Sequence, residues 1–246
     1  MRNGEVVNCF KMNLADGRVA EIAGMCGYDC IWVDVEHVAN DLNVVENCIW
    51  AAKTHDVDVL VRVARGSYSD YIRPLELDAS GIMVPHLISV ADAKDVVRMT
   101  RFMPIGRRPI DGGNADGSYC GVSTKDYIKS ANEQRFVIVQ IEDPEAMEDL
   151  DAIAQVPGID MLFFGPGDFS HAIGAAGEVN HPKVVDARLK VAAAAIKHGK
   201  FAGTVTGPDR DQIEDLKKLG YRFLALGADV LALMQYCRTC VDLFMP

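Results

Sequence analysis

Residues 34–41 read DVEHVAND and follow the apolar run YDCIWV at 28–33. Asp34, Glu36 and His37 place two carboxylates and an imidazole where a strand should end. Such groups take and give protons, whereas solubility alone is served by Lys, Ser or Gly. The plain alternative is a solvated turn capping a helix that begins near Asn40 or Asp41. A second acidic position, Glu142, closes the run FVIVQIE at 136–142, with Gln140 two residues before it. A third, Asp168, stands in the box GPGDFS at 165–170. If adjacent strands bring Glu142 and Asp168 together, their charges repel unless a proton or cation lies between them. Oxygen ligands without a Cys or His cluster favour an octahedral divalent ion such as Mg²⁺ or Mn²⁺. Each carboxylate also has a structural reading. Glu142 precedes Asp143-Pro144-Glu145 and suits a helix N-terminus; Asp168 suits an N-cap.

Arg62 lies near the end of the run DVLVRV at 58–63. It is permanently charged and can steady a developing oxyanion, or it can pair with Glu36 or Asp34. The Gly-rich turn at Gly165 and Gly167 points free N–H groups outward and suits an anion such as a carboxylate. His37 is the candidate base, and Glu76 is a possible acidic partner for it. His55, His171, His181 and His198 read as surface residues. Cys237 and Cys240 have CxxC spacing, but no second pair completes a zinc site, and they read as ordinary thiols.

These residues need elements to hold them. Short apolar runs at 5–10, 28–35, 58–63, 80–85, 136–142, 159–165, 201–205 and 222–227 read as strands. Helix-like segments at 17–26, 41–55, 69–78, 89–101, 145–155, 183–198, 209–219 and 229–243 alternate with them. Continuous apolar strands alternating with helices imply a parallel sheet covered by helices, and eight such units in 246 residues match an α/β fold, the (β/α)8 TIM barrel. An open doubly wound sheet is disfavoured, because residues 9–13 (CFKMN) are not a Gly-rich phosphate loop. Barrel active sites lie at strand C-termini, where Asp34, Glu36, His37, Arg62, His86, Gln140, Glu142 and Asp168 all fall. One domain, 1–246, is expected, with a long Gly-rich active-site loop around 103–135 and a short helix before the fifth strand.

The chain has a net charge of -10, which argues against nucleic acid or an anionic membrane as partner. No stretch reaches the length of a membrane span, and the start does not read as a secretory signal. Seven scattered cysteines read as reduced thiols in a cytoplasmic protein.

At these residues the sequence resembles the metal-dependent (class II) pyruvate aldolases typified by 4-hydroxy-2-oxoheptanedioate aldolase and 2-dehydro-3-deoxyglucarate aldolase. The resemblance spans nearly the whole chain. It is carried by GYDCIWVDVEH (27–37), VLVRV (59–63), LELDASGIMVPH (75–86), VIVQIEDPEAMEDLDAI (137–153), GPGDFS (165–170) and LALGAD (224–229). It implies reversible aldol cleavage of a 4-hydroxy-2-oxo acid to pyruvate, or a close 2-oxo acid, and an aldehyde. It implies a divalent metal ion (Mg²⁺, Mn²⁺ or Co²⁺) on Glu142 and Asp168, chelated by the keto and carboxylate oxygens of pyruvate. The Gly167 and Asp168 amides would hold that carboxylate, and Gln140 would line its site. Arg62 would steady the enolate oxygen; His37, with Glu76 as acidic partner, would move the proton through a water on the metal. Asp34 and Glu36 would support the strand end. A homo-oligomer, trimer or hexamer, with exchanged terminal helices is also implied.

The chain departs from the family pattern at several points. Glu76 stands where Asp is usual, Lys11 where Trp is frequent, and Arg107-Arg108-Pro109 where Arg-Gly is expected; the loop DGGNADGSYCG (111–121) is also distinct. These departures suggest kept enolate chemistry and a reassigned aldehyde. Competing readings are an oxaloacetate-type decarboxylase using the same metal enolate, a Schiff-base enzyme using Lys11, and a non-catalytic barrel that binds a carboxylate.

Overall fold

The computed structural model describes Met1 and residues 3–245. The apolar runs pair side by side into strands β1 (Val7–Met12), β2 (Cys30–Asp34), β3 (Asp58–Arg62), β4 (Gly81–Val84), β5 (Phe136–Ile141), β6 (Met161–Phe164), β7 (Phe201–Thr206) and β8 (Tyr221–Ala228). All neighbours are parallel, and β8 returns to β1 to close the barrel. The helices are α1 (Gly17–Met25), α2 (Leu42–Lys53), α3 (Tyr68–Glu76), α4 (Val90–Thr100), α5 (Thr124–Gln134), α6 (Pro144–Glu148), α7 (Leu150–Ala154), α8 (Pro166–Ala172), α9 (Pro182–Lys197), α10 (Arg210–Lys218) and α11 (Asp229–Phe244). This is the (β/α)8 TIM barrel expected from the alternation. Expected and observed element ends agree within two residues. The expected helix over 145–155 is broken at Asp149, whose φ of -104° and ψ of 8° separate α6 from α7. Expected strand 1 slides forward by two residues, which carries Lys11 into the strand.

Two apolar cores follow from the alternation of side chains across each strand. The larger lies between strands and helices, with Val33, Val61, Ile82, Val139, Leu162 and Leu224 pointing outward into it. The smaller fills the barrel interior with Cys9, Cys30, Trp32, Leu60, Ile138 and Phe163. Continuing the inward positions toward the strand C-termini replaces these apolar residues with Lys11, Asp34, Arg62, Gln140 and Glu142. The inward-facing set therefore changes from apolar to polar and charged toward the strand C-termini, which form the barrel mouth.

The segment between α4 and α5 contains a 3-10 turn at Ala115–Cys120. It is anchored at the N-terminal ends of β5 and β6. Arg101 donates to the carbonyls of Arg135 at 2.7 Å and Gly158 at 2.9 Å and pairs with Asp160. The reason is topological: α4 runs antiparallel to the strands and delivers the chain to the end opposite the mouth. The Gly-rich segment expected to serve the active site thus sits at the far end of its own barrel.

Candidate active site

The register of β2 and β3 makes Asp34 and Arg62 direct partners on adjacent strands, both directed inward. Arg62 is only 3% exposed. Its Nε donates to Asp34 Oδ1 at 3.1 Å and its Nη2 to Asp34 Oδ2, a fork on a carboxylate. Glu36 Oε2 lies 3.1 Å from the same Nε. That N–H is directed at Asp34, so Glu36 Oε2 is buried with an ion pair but no hydrogen bond. Trp32 supports the guanidinium from below, its ring centroid 4.8 Å away. Burial alone would raise the Asp34 pKa, but the Arg62 hydrogen bond and the charges of Arg62 and Lys11 hold it below the usual carboxylate range. The structural and the chemical reading of Arg62 therefore coexist. Two carboxylates fix it, while Nη1 has no acceptor among the described residues.

Glu142 follows β5 and is 1% exposed. Its Oε1 accepts the His86 main-chain N–H at 3.0 Å, and its Oε2 accepts from Gln140 Nε2. Burial first, then the nearby charges of Asp168 and Glu36, push its pKa up to about 7, against the His86 N–H bond and the His86 charge. Gly165 makes room for this carboxylate, since a Cβ there would lie 2.5 Å from Glu142 Oε2. Asp168 is exposed and stands in the first turn of α8, whose N-cap is Gly165; the N-cap expected at Asp168 is three residues earlier. The N–H groups of Gly167 and Asp168 belong to the first turn of α8, where a helix start leaves them without intrahelical partners. No cluster of three or more His, Cys, Asp or Glu side chains that could cage a metal is found among the described residues. A buried carboxylate driven toward neutrality, a neighbouring exposed carboxylate and the buried, unpartnered Oε1 of Gln140 nevertheless form an oxygen-donor set with open positions. Such a set fits a hard divalent ion that keeps water or substrate oxygens as its remaining ligands.

His37 stands on the rim, its side chain 57% exposed and its Nε2 3.5 Å from Glu36 Oε2. Asp41, not the DVEH residues, caps α2, accepting from Val44 N–H at 3.0 Å. Glu76, the expected partner of His37, is not brought to it within the chain. It ends α3 at the opposite end of the barrel, beside Arg108, Asp116 and Asp111. Burial raises its pKa there.

His86 is a site residue to which the sequence reading assigned no role. Its φ of +51° turns the chain after β4 so that its N–H meets Glu142. Its Nδ1 lies 3.0 Å from Asp143 Oδ2, and its Nε2 is 3.6 Å from Glu36 Oε1. Burial would lower its pKa, but the Asp143 hydrogen bond and the charges of Glu142, Asp143 and Glu36 raise it on balance. Its sequence signal was its place after Pro85 at a strand end, the same signal that marked Glu142.

A family model described as HpcH/HpaI aldolase/citrate lyase matches residues 9–235. A hydroxypyruvate/pyruvate aldolase of Pseudomonas aeruginosa is 32% identical over 244 residues, covering 99% of this chain and 90% of that protein. A 2-keto-3-deoxy-L-rhamnonate aldolase of Klebsiella pneumoniae subsp. pneumoniae is 31% identical, covering 88% of this chain and 80% of that protein. The crystal structure of an HpcH/HpaI aldolase from Desulfitobacterium hafniense superposes with a TM-score of 0.93 at 30% identity, covering 100% of this chain and 95% of that chain.

Proposed function

This chain belongs to the HpcH/HpaI aldolase/citrate lyase family and is a carbon–carbon lyase of the aldolase kind; from that premise we propose that it cleaves a 4-hydroxy-2-oxo acid to pyruvate, or a close 2-oxo acid, and an aldehyde. The observation that carries the reading is the mouth itself: a fixed guanidinium on one side and a buried carboxylate driven toward neutrality on the other. In the reaction the C4 hydroxyl loses its proton and the C3–C4 bond electrons pass into the C2 carbonyl. An aldehyde leaves, and protonation of the enolate at C3 gives the 2-oxo acid.

Glu142 and Asp168 would hold a divalent ion (Mg²⁺, Mn²⁺ or Co²⁺), with the Gln140 amide setting Glu142 in place. Such an ion supplies Lewis-acid polarisation of the keto oxygen. The chain's own groups would do the rest. Arg62 presents its free Nη1 to the oxygen that becomes negative, and the Asp34 fork prevents it from turning away. The Gly167 and Asp168 amides receive the substrate carboxylate at the start of α8. His37 moves the proton at the open rim. His86 keeps Glu142 aimed through its main chain.

The partners proposed are therefore a small 2-oxo acid and an aldehyde. Among the described residues no helix is long and apolar enough to cross a membrane, and with seven unbonded cysteines a cytoplasmic location is proposed. A homo-oligomer is proposed from α11, and its order, trimer or hexamer, from the family resemblance. Only Asp229 of that helix is buried, while Leu231, Met234, Tyr236, Leu243 and Phe244 all lie in solvent. An apolar helix of this kind needs a partner surface.

Deuterium exchange at C3 of pyruvate in D₂O, followed by NMR, tests the function. Exchange should need an added divalent ion, stop with chelator and be lost in Glu142→Ala. A folded wild type that exchanges nothing with Mg²⁺, Mn²⁺ or Co²⁺ would refute the reading.

A further inference from the structure

The mouth contains one cation that the cleavage chemistry above does not use. Lys11 is the penultimate residue of β1 and points inward, and its register partner on β2 is Trp32. Its Nζ lies 5.0 Å above the Trp32 ring and 3.3 Å from Asp34 Oδ2. The side chain is 25% exposed. The two oxygens of Asp34 are already engaged by Arg62. Beyond that ion pair Lys11 has no partner among the described residues, so at least two of the three N–H donors of its ammonium remain available.

The position is also built. β8 gains a residue opposite the Cys9–Lys11 step, and Gly227 takes a φ of +75° within the resulting bulge. Bulges at barrel rims re-aim neighbouring side chains. Asp229 fixes the end of β1 by accepting the N–H groups of Asn13 at 2.9 Å and Leu14 at 2.8 Å. Pinning a long flexible chain on an aromatic face gives up side-chain entropy, and an apolar residue would pack on Trp32 without a charge to solvate.

In the closed order β1 to β8, β1 stands across the barrel from β5, which delivers Glu142. A substrate whose 2-oxo acid half is held at β5 and β6 and beside Arg62 extends its other half toward β1. We infer that Lys11 is a specificity-determining residue that receives an anionic group, a carboxylate or a phosphate, at the remote end of the aldehyde half. The inference rests on the pyruvate aldolase reading and deepens it by naming the chemical class of the second substrate.

The test compares kcat/KM for aldol addition of pyruvate to matched aldehydes with full-length wild type, Lys11→Met and Lys11→Arg. Succinic semialdehyde is paired with butanal, and glyceraldehyde 3-phosphate with glyceraldehyde, so the two arms separate a carboxylate from a phosphate preference. Wild type should prefer at least one anionic member by tenfold or more. Lys11→Met should lose that preference through KM, and Lys11→Arg should keep most of it. Pyruvate C3 exchange by Lys11→Met reports that the variant is folded with its enolate site intact. An unchanged anionic-to-neutral ratio in Lys11→Met, or a wild type that prefers the neutral members, overturns the Lys11 assignment alone. Covalent labelling of Lys11 by pyruvate with borohydride also overturns it, by making Lys11 a Schiff-base residue. Absence of pyruvate exchange by wild type with every ion overturns the aldolase reading and this assignment with it.

Discussion

Glu142 concentrates the electrostatics of the mouth in one side chain. Its ordinary pKa of 4.5 is pushed up to about 7 by burial and by nearby carboxylates. A carboxyl raised on folding keeps a proton that the unfolded chain releases. Its stabilisation is complete below about 4.5 and is lost as pH climbs through about 7. His86, also raised, acts in the same direction from its ordinary value of 6.5 upward. Asp34, lowered by Arg62 despite its burial, acts oppositely and loses its contribution only as the solution becomes acidic. The chelated protein should therefore lose stability in urea titrations as pH rises from about 4.5 to 7, and Glu142→Gln should flatten that slope. Over the same window divalent-ion affinity, measured calorimetrically, should rise, because binding must displace the proton. Arg62→Lys keeps the charge but loses the fork on Asp34. Pyruvate exchange should fall by roughly a hundredfold, with far-UV circular dichroism unchanged.

At the scale of elements, two short turns decide whether these residues meet. The β6–α8 turn must pass close over Glu142, and Gly165 permits it. A methyl group at that position would stand 2.5 Å from Glu142 Oε2 and 3.0 Å from Gln140 Nε2. Gly165→Ala should weaken divalent-ion binding at least tenfold in calorimetry and also lower the thermal midpoint, because the methyl would stand 2.9 Å from Glu142 Cβ, which cannot swing away. The β4–α4 turn carries His86 at positive φ, a conformation that costs a non-Gly residue of the order of 1 kcal/mol. Arg65 holds it there by donating to the His86 carbonyl and pairing with Asp92 at 2.8 Å.

For the whole molecule, α11 is the unfinished part. Its sixteen residues leave the barrel after Asp229 and expose an apolar surface on several sides. Wild type should elute and scatter light as an oligomer at micromolar concentration. Leu243→Asp with Phe244→Asp should shift it toward monomer with the barrel's circular dichroism retained. A monomeric wild type would contradict the oligomer proposal. At the far end of the barrel Glu76 gathers with the buried Arg108–Asp116 ion pair, distant from the mouth of the same chain.

Much of this was legible in the sequence. Period and β-branched content placed eight strands and their helices, because local propensity and burial agree in a parallel barrel whose strands are covered on both faces. The fold then assigned Asp34, Arg62, Gln140 and Glu142 to one rim, since each ends an inward-facing series. Three features needed the tertiary structure. The Asp34–Arg62 fork depends on strand register, and the sequence left Arg62 open between two carboxylates. The location of Glu76 and of the 103–121 segment depends on the direction in which α3 and α4 run, so a residue close in sequence to strand β4 stands at the wrong end to meet His37. The role of His86 depends on a positive φ and on Glu142, fifty-six positions away. Periodicity records which face a residue takes within its own element. Contacts made across elements, and through the main chain, are set only when the barrel closes.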